Sequence, residues 1–255
     1  VGTIAEKLVS GIEKLGSKIR YKANVTEILL ENDKAIGVKL SNGEEILSNI
    51  IVSNSTRWDT FGLKDKKKGL IASKNVPKSE YKWSDTYKPS PSFVSIHLGV
   101  EKSVIGNNFN CHHIIVENWD ELESEKGVIF VSIPTLLDSS LAPDGKHIIH
   151  AFTPSSMSEW EGLSREEYLQ KKEKYFSFLV EKISTILPNL EENIDHKEIG
   201  TPKTHKKFLG RYEGSYGPIP SKKLLGLLPM PFNTTKIKNL YCVGDSCFPG
   251  QGLNA

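Results

Sequence analysis

Cysteine is scarce in this sequence: three in 255 residues, Cys111, Cys242 and Cys247, an odd number without repeated spacing. That excludes a disulfide framework and suits a reducing compartment. Cys242 and Cys247 stand close in sequence, but no His or Cys pair sits at zinc-ligand spacing beside them, so no metal site is expected. Long apolar runs are missing as well. No stretch reaches the roughly 18 to 20 apolar residues that a spanning helix needs, which leaves peripheral contact as a possible membrane association. Neither sign of charge is in excess. The 33 Lys and Arg stand against 31 Asp and Glu, net +2, and no polybasic face points to nucleic acid. The lysines from Lys64 to Lys68 enclose Asp65 and read as a solvated loop. There is no internal repeat and no recognisable Ser-His-Asp spacing, and nothing indicates an oligomeric state.

What remains is ordinary globular composition, 38% apolar and 25% charged, at a length that allows one large domain or two smaller ones. Thr3 and Glu6 form a capping-box pattern ahead of a helix over Ile4 to Leu15. Ile4, Leu8, Ile12 and Leu15 make its apolar stripe, and Gly16 stands at its C′ position. Short strands follow at Lys18–Lys22, Val25–Leu30, Ala35–Leu40 and Glu44–Leu47, with turns at Asn32-Asp33 and Asn42-Gly43. Ile50, Ile51 and Val52 read as a buried strand ending at Ser53-Asn54. Residues 62 to 91, rich in Lys, Ser and Pro, read as a loose, partly helical connection. Further strands are expected at Ser92–Val100, His112–Val116, Val128–Ile133, His147–Thr153 and Ile194–Ile199. A long helix from Ser164 to Leu187 opens with the capping box Ser164/Glu167 and stops at Pro188. Thr201-Pro202 can start another helix, the Gly- and Pro-rich tract from Gly210 to Pro231 is irregular, and Leu240–Val243 is a buried strand.

The chemistry concentrates after that last strand, in Gly244-Asp245-Ser246-Cys247-Phe248-Pro249-Gly250-Gln251-Gly252. Gly244 permits a tight turn at the strand end. Asp245 then sits at the carboxyl edge of a sheet, where a carboxylate can accept a hydrogen bond from a ribityl or ribose hydroxyl. Gly250 and Gly252 let main-chain N–H groups approach a ligand, and a helix beginning near Gly252 would aim its free N–H groups at an anion or ring edge.

This segment resembles the C-terminal FAD motif of the phytoene desaturase, carotenoid isomerase and retinol saturase relatives, and the wording Tyr241 to Gly252 is similar to the carotenoid isomerase branch. Other stretches resemble the same branch in the same order: Arg20 to Thr26, Val52 to Thr60, Pro91-Ser92-Phe93, Cys111-His112-His113, Ser132 to Thr135, Gly200 to His205, Tyr216-Gly217-Pro218 and Met230 to Thr235. The resemblance implies an α/β fold of the glutathione-reductase FAD-binding type, incomplete, with an inserted mixed-sheet α+β substrate region. Residues 1–60 would be part of the FAD-binding domain, 61–235 the substrate-binding domain and 236–255 the C-terminal FAD motif. The family's Gly-x-Gly-x-x-Gly turn is missing, and both Val1 and Ala255 look like cut ends of a longer polypeptide. By resemblance, the backbone of Val25 meets the adenine of FAD. Gly244 and Asp245 meet the ribityl and pyrophosphate, and Gly250, Gly252 and Leu253 lie near the isoalloxazine.

The implied activity is cis-to-trans isomerisation of poly-cis-lycopene to all-trans-lycopene with reduced FAD. The partner is a polyene, and the place a plastid, peripheral to membrane, or cytoplasmic or thylakoid-associated in a bacterium. A desaturase or retinol saturase-like oxidoreductase is the alternative, and a non-catalytic remnant of the fold a second one. No catalytic side chain is assigned. His112 and His113 should point to opposite strand faces. His97 reads as a satisfied core histidine and His205, among Lys203, Lys206 and Lys207, as part of a solvated face. Asp59 is either structural or lines the flavin side. Of Phe93, Phe130, Phe152, Trp160, Phe208 and Phe232, most should be core and some should line a polyene tunnel.

Overall fold

The structure is a computed structural model that describes residues 2–122, 124–219 and 230–250. It opens with α1 (Gly2–Lys14), closed by Gly16 at φ 80°, where Ser17 N–H reaches back to Ile12 O at 3.1 Å. The Thr3/Glu6 capping box does not form, because the helix already begins at Gly2 and Thr3 lies inside it. None of its residues is buried. The stripe Ile4, Leu8 and Ile12 faces solvent. The strand expected at Lys18–Lys22 is absent: the chain there is irregular and turns through Lys22 at φ 56°.

An antiparallel meander follows, β1 (Val25–Glu31), β2 (Lys34–Leu40) and β3 (Glu45–Leu47). Its first turn places Asn32 and Asp33 both at positive φ, 46° and 61°, the geometry whose twist suits a two-residue hairpin. β4 (Ile51–Ser53) then pairs in parallel with β10 (Leu240–Cys242), at the other end of the chain. The expected burial of the Ile50–Val52 run is half met. Ile51 is buried, while Ile50 and Val52 are exposed, as is Tyr241 beside Val52, because one face of this two-stranded pair is uncovered. Ile51, Leu240 and Cys242 pack with Ile28, Phe61, Ile71 and Ile237 in one core.

The 62 to 91 segment is better ordered than its composition suggests. α2 (Arg57–Phe61) is capped by Thr56 and α3 (Lys78–Thr86) buries Trp83. Phe61, Ile71 and Val76 join the core of the meander and β4/β10, so the expected boundary after residue 60 falls inside that core. Beyond it lies a five-stranded sheet in the order β6-β7-β8-β5-β9: β5 (Ser92–Glu101), β6 (His112–Val116), β7 (Val128–Ser132), β8 (Lys146–Ser155) and β9 (Ile194–Gly200). Every pairing in it is antiparallel, where a mixed sheet was the expectation. The loops between β6, β7 and β8 simply reverse the chain, and α4 (Arg165–Ser184) returns it antiparallel to β5.

Strand alternation divides this sheet into two faces. Val94, Ile96, Leu98, Ile129, Val131, Ile149 and Ala151 pack against Tyr175, Leu179, Val180 and Ile183 of α4. The opposite face carries Phe93, Phe130, Phe152 and the side chains of a groove. The capping box of α4 forms in full, with Glu167 N–H on Ser164 Oγ at 3.2 Å and Ser164 N–H on Glu167 Oε2 at 2.8 Å. α5 (Pro202–Leu209) starts on its N1 proline and ends on left-handed Gly210.

Candidate functional site

Because β4 and β10 run parallel, their carboxyl ends open on the same side, the edge where α/β sheets place ligands. There a cavity of about 550 Å³ is lined by Val25 and Ile28 of β1, by Ile51 to Ser53 with the following Asn54, Ser55 and Thr56, and by Arg211, Tyr216 and Asp245. Val25 and Asp245, from opposite ends of the sequence, thus share one crevice. Gly244 sits at φ 91°, so the turn presenting Asp245 favours glycine; a Cβ there would also come within 2.5 Å of Asn54 Oδ1, a side-chain oxygen that would have to turn aside. Asp245 Oδ2 forms an ion pair with Arg211 Nη2, with both side chains less than one-fifth exposed. Arg211 also donates from Nε to Ser215 O.

Tyr216 borders this cavity and a second one. The second, about 860 Å³, lies on the uncovered sheet face between Phe93, Phe130, Phe152, Ile114, Val116, Trp119 and Leu122. Its floor is a file of rings. Phe130 stacks on Phe152 at 4.9 Å, Phe152 lies 4.9 Å from Phe93, and Phe93 stacks on Tyr216 at 4.3 Å. Trp160, by contrast, is core, and Phe208 and Phe232 are exposed.

The histidines differ from their sequence readings in two places. His97 is not a core residue. It is exposed on the groove face and stacks flat on His150, 4.3 Å between ring centres. Alternation alone does not say which sheet face the helix covers, and His97 lies on the other. Burial, then the neighbouring His97 and His205, push the His150 pKa down to about 4. His205 belongs to no solvated face: it packs edge-on to Phe93 at 5.0 Å, its Nε2 is buried without a partner among the described residues, and burial lowers its pKa. His112 hydrogen-bonds with Ser132 Oγ at 3.0 Å while His113 turns the other way onto Phe109. Asp59 is structural. It accepts from the Thr56 hydroxyl and, at 2.9 Å, from Tyr212 N–H, and it pairs with Lys67.

Gly250 lies at φ 116°, its Cα side against Met230 Sδ. Gly252 and Leu253, with the helix expected there, lie outside the described residues. Arg211 and Asn54 carry no mark in the sequence that would assign them to this crevice. Arg211 stands in the irregular Gly- and Pro-rich tract, and only the folded chain brings it to Asp245. The turn is further braced by Arg57 at the start of α2. Its backbone N–H donates to Ser246 Oγ at 3.1 Å, its Nη1 donates to Phe232 O at 2.8 Å, and its Nη2 grips both oxygens of Glu80. Burial works against the Arg57 charge, and Glu80 outweighs that and leaves its pKa raised.

No family model matches the chain. Along its whole length it is 52% identical to prolycopene isomerase 2, chloroplastic, of an Oncidium hybrid cultivar, and spans 43% of that protein. It is 50% identical, again along the whole chain, to the chloroplastic prolycopene isomerase of Arabidopsis thaliana, and spans 42% of it. A neurosporene-forming phytoene desaturase of Cereibacter sphaeroides is 24% identical over 99% of the chain and 50% of that protein. Among solved structures, an oxidoreductase from Methanosarcina mazei shares the fold with a TM-score of 0.60 at 19% identity, over 93% of this chain and 47% of that one. Cyclohexylamine oxidase from Brevibacterium oxydans does so with a TM-score of 0.56 at 9% identity, over 96% and 47%. The chain therefore spans less than half the length of the plant relatives it matches.

Proposed function

From the homology of this chain to the prolycopene isomerases along its full length, we propose that it supplies the polyene groove and one wall of the flavin site of an enzyme converting poly-cis-lycopene to all-trans-lycopene. The observation that carries this reading is the adjoining pair of cavities. One is amphipathic, with Val25 and Asp245 in its walls, and the other is apolar and floored by aromatic rings.

The residues present suit FAD. Gly244 turns the chain at φ 91° into the crevice, Asp245 offers a carboxylate to a ribityl or ribose hydroxyl, and Val25 offers strand backbone to adenine. Of the residues that the resemblance puts near the isoalloxazine, Gly250 is described and would take that side, while Gly252 and Leu253 lie outside the described residues. In this division residues 1–60 and 236–255 serve the cofactor, joined by Leu70, Arg211 and Tyr216 from the 61–235 segment, whose remainder serves the substrate.

The reaction leaves no net redox change, and reduced FAD, held by the residues named above, would supply electron density to the polyene. The chain itself binds, orients and excludes water. A hydrocarbon offers no polar handle, so the groove holds it by apolar burial at roughly 25 cal/mol per Å². His150, with its pKa pushed down to about 4, stays neutral near pH 7 and keeps the sheet face beside the groove uncharged there. Ile114 and Trp119, 62% and 76% exposed at the groove, favour peripheral contact with the lipid in which a polyene resides. The plastid is the proposed compartment, as the plant relatives are named chloroplastic.

The test is incubation of the holoenzyme with poly-cis-lycopene and reduced FAD in the absence of a terminal acceptor. All-trans product in large excess over flavin is the expected result. Product formed only in step with flavin oxidation or reduction would instead mark a desaturase or saturase.

A further inference from the structure

Among the described residues, Tyr216 alone lines both cavities. Its ring ends the file Phe130–Phe152–Phe93–Tyr216 on the groove side, and it is held from several directions. The Arg211 guanidinium lies 5.6 Å from its centroid while paired with Asp245. Its backbone N–H donates to Ser90 Oγ at 3.1 Å. The next residue, Gly217 at φ 90°, is pressed so closely on Asp245 that a Cβ would lie 2.4 Å from Asp245 O. A side chain so fixed, at the wall the two cavities share, stands where a groove-bound polyene comes nearest to the cofactor crevice.

A conjugated polyene repeats itself along its length. A smooth apolar groove therefore grips it in several registers of nearly equal energy, because burial is non-directional. Choosing one double bond requires a rigid edge at a fixed distance from the reacting centre. We infer that Tyr216 is the specificity-determining residue of this site: its ring sets which double bond of the polyene faces the flavin, and the Arg211–Asp245 pair is the positioning element that holds the ring in place. The inference rests on the function proposed above and adds to it the origin of bond selection.

The experiment uses the flavin-loaded holoenzyme and poly-cis-lycopene at low conversion, with chromatographic separation of the partly isomerised products. Tyr216→Ala is expected to shift the ratio of these intermediates roughly tenfold, the discrimination that one lost apolar contact commonly costs. Tyr216→Phe, which keeps the stacked ring, should rescue the original ratio, and Arg211→Ala should broaden it in the same direction as Tyr216→Ala. An independent readout is the visible circular dichroism of the polyene bound to holoenzyme with oxidised FAD, whose band shape should change in Tyr216→Ala and return in Tyr216→Phe. If Tyr216→Ala fails to show a cooperative thermal transition, Tyr216→Leu takes its place. An unchanged product ratio together with an unchanged dichroism band overturns the inference. Binding of polyene without any isomerisation by the unaltered holoenzyme overturns the proposed function instead, and the dichroism comparison then still decides whether Tyr216 sets the register.

Discussion

Replacing Glu80 by Ala strips the counter-ion from a guanidinium that has almost no access to water. The Arg57 and Glu80 side chains are 3% and 6% exposed, and the fork between them closes at 2.8 and 3.0 Å. Breaking a buried pair by removing one partner costs about 3 to 5 kcal/mol, because the remaining charge cannot be rehydrated. Arg57 keeps some help. Nη1 still donates to Phe232 O at 2.8 Å and lies 3.7 Å from Cys247 Sγ, and the rings of Phe61 and Trp83 flank the guanidinium at 5.4 and 5.7 Å. Its Nε, however, is already buried without a partner among the described residues. The expected loss therefore lies at the lower end, about 3 kcal/mol. Urea unfolding followed by tryptophan fluorescence reads it directly, since Trp58 and Trp83 pack 5.0 Å apart beside this pair. The double variant Arg57→Met with Glu80→Leu should regain most of the loss, as apolar replacements of buried pairs commonly do. Because Arg57 also holds Ser246 and Phe232 around the Asp245 turn, Glu80→Ala should weaken flavin affinity as well. A cost under about 1 kcal/mol, the level of an exposed pair, would refute the reasoning, as would a double variant no more stable than the single one.

His150 makes stability depend on acid. Its pKa falls from the ordinary 6.5 to about 4, so between those values the unfolded chain takes a proton that the folded chain refuses. Stability from this source is complete above pH 6.5 and declines as pH falls toward 4; urea midpoints at pH 7 and near pH 4.5 should differ less in His150→Phe than in the unaltered protein. Gly244→Ala meets both a positive φ of 91° and the Asn54 oxygen at 2.5 Å. It should cost about 1 to 3 kcal/mol in denaturant titration and reduce flavin retention on gel filtration. Ser164→Ala removes the hydroxyl that caps α4 and should lower stability by about 1 kcal/mol, read as a shift in the thermal midpoint without change in flavin content.

Local chemistry made several elements legible before any tertiary contact. The Ser164/Glu167 box and Pro188 bracket α4, Gly16 ends α1, and Asn32-Asp33 turns the meander, because each acts on backbone groups within about one turn of itself. The Gly244-Asp245 turn was readable for the same reason. Elsewhere the local pattern misled. Thr3 and Glu6 have the spacing of a cap but lie inside their helix, and the segment from 62 to 91 looked loose in composition while Ile71 and Val76 bury their side chains under partners distant in sequence.

What only the tertiary structure decided concerns faces and meetings. Alternation along β5 places Val94 and His97 on opposite sides, yet nothing in that strand states which side α4 will cover; packing chose the side of Val94 and left His97 stacked on His150 in the open. The joining of Val25 to Asp245 in one crevice, the ion pair of Arg211 with Asp245 and the seat of Tyr216 between two cavities all depend on the parallel pairing of β4 with β10. That pairing joins segments far apart in the chain, Ile51 with Leu240, and its free energy comes from burying their shared apolar face, a quantity that no window of neighbouring residues contains.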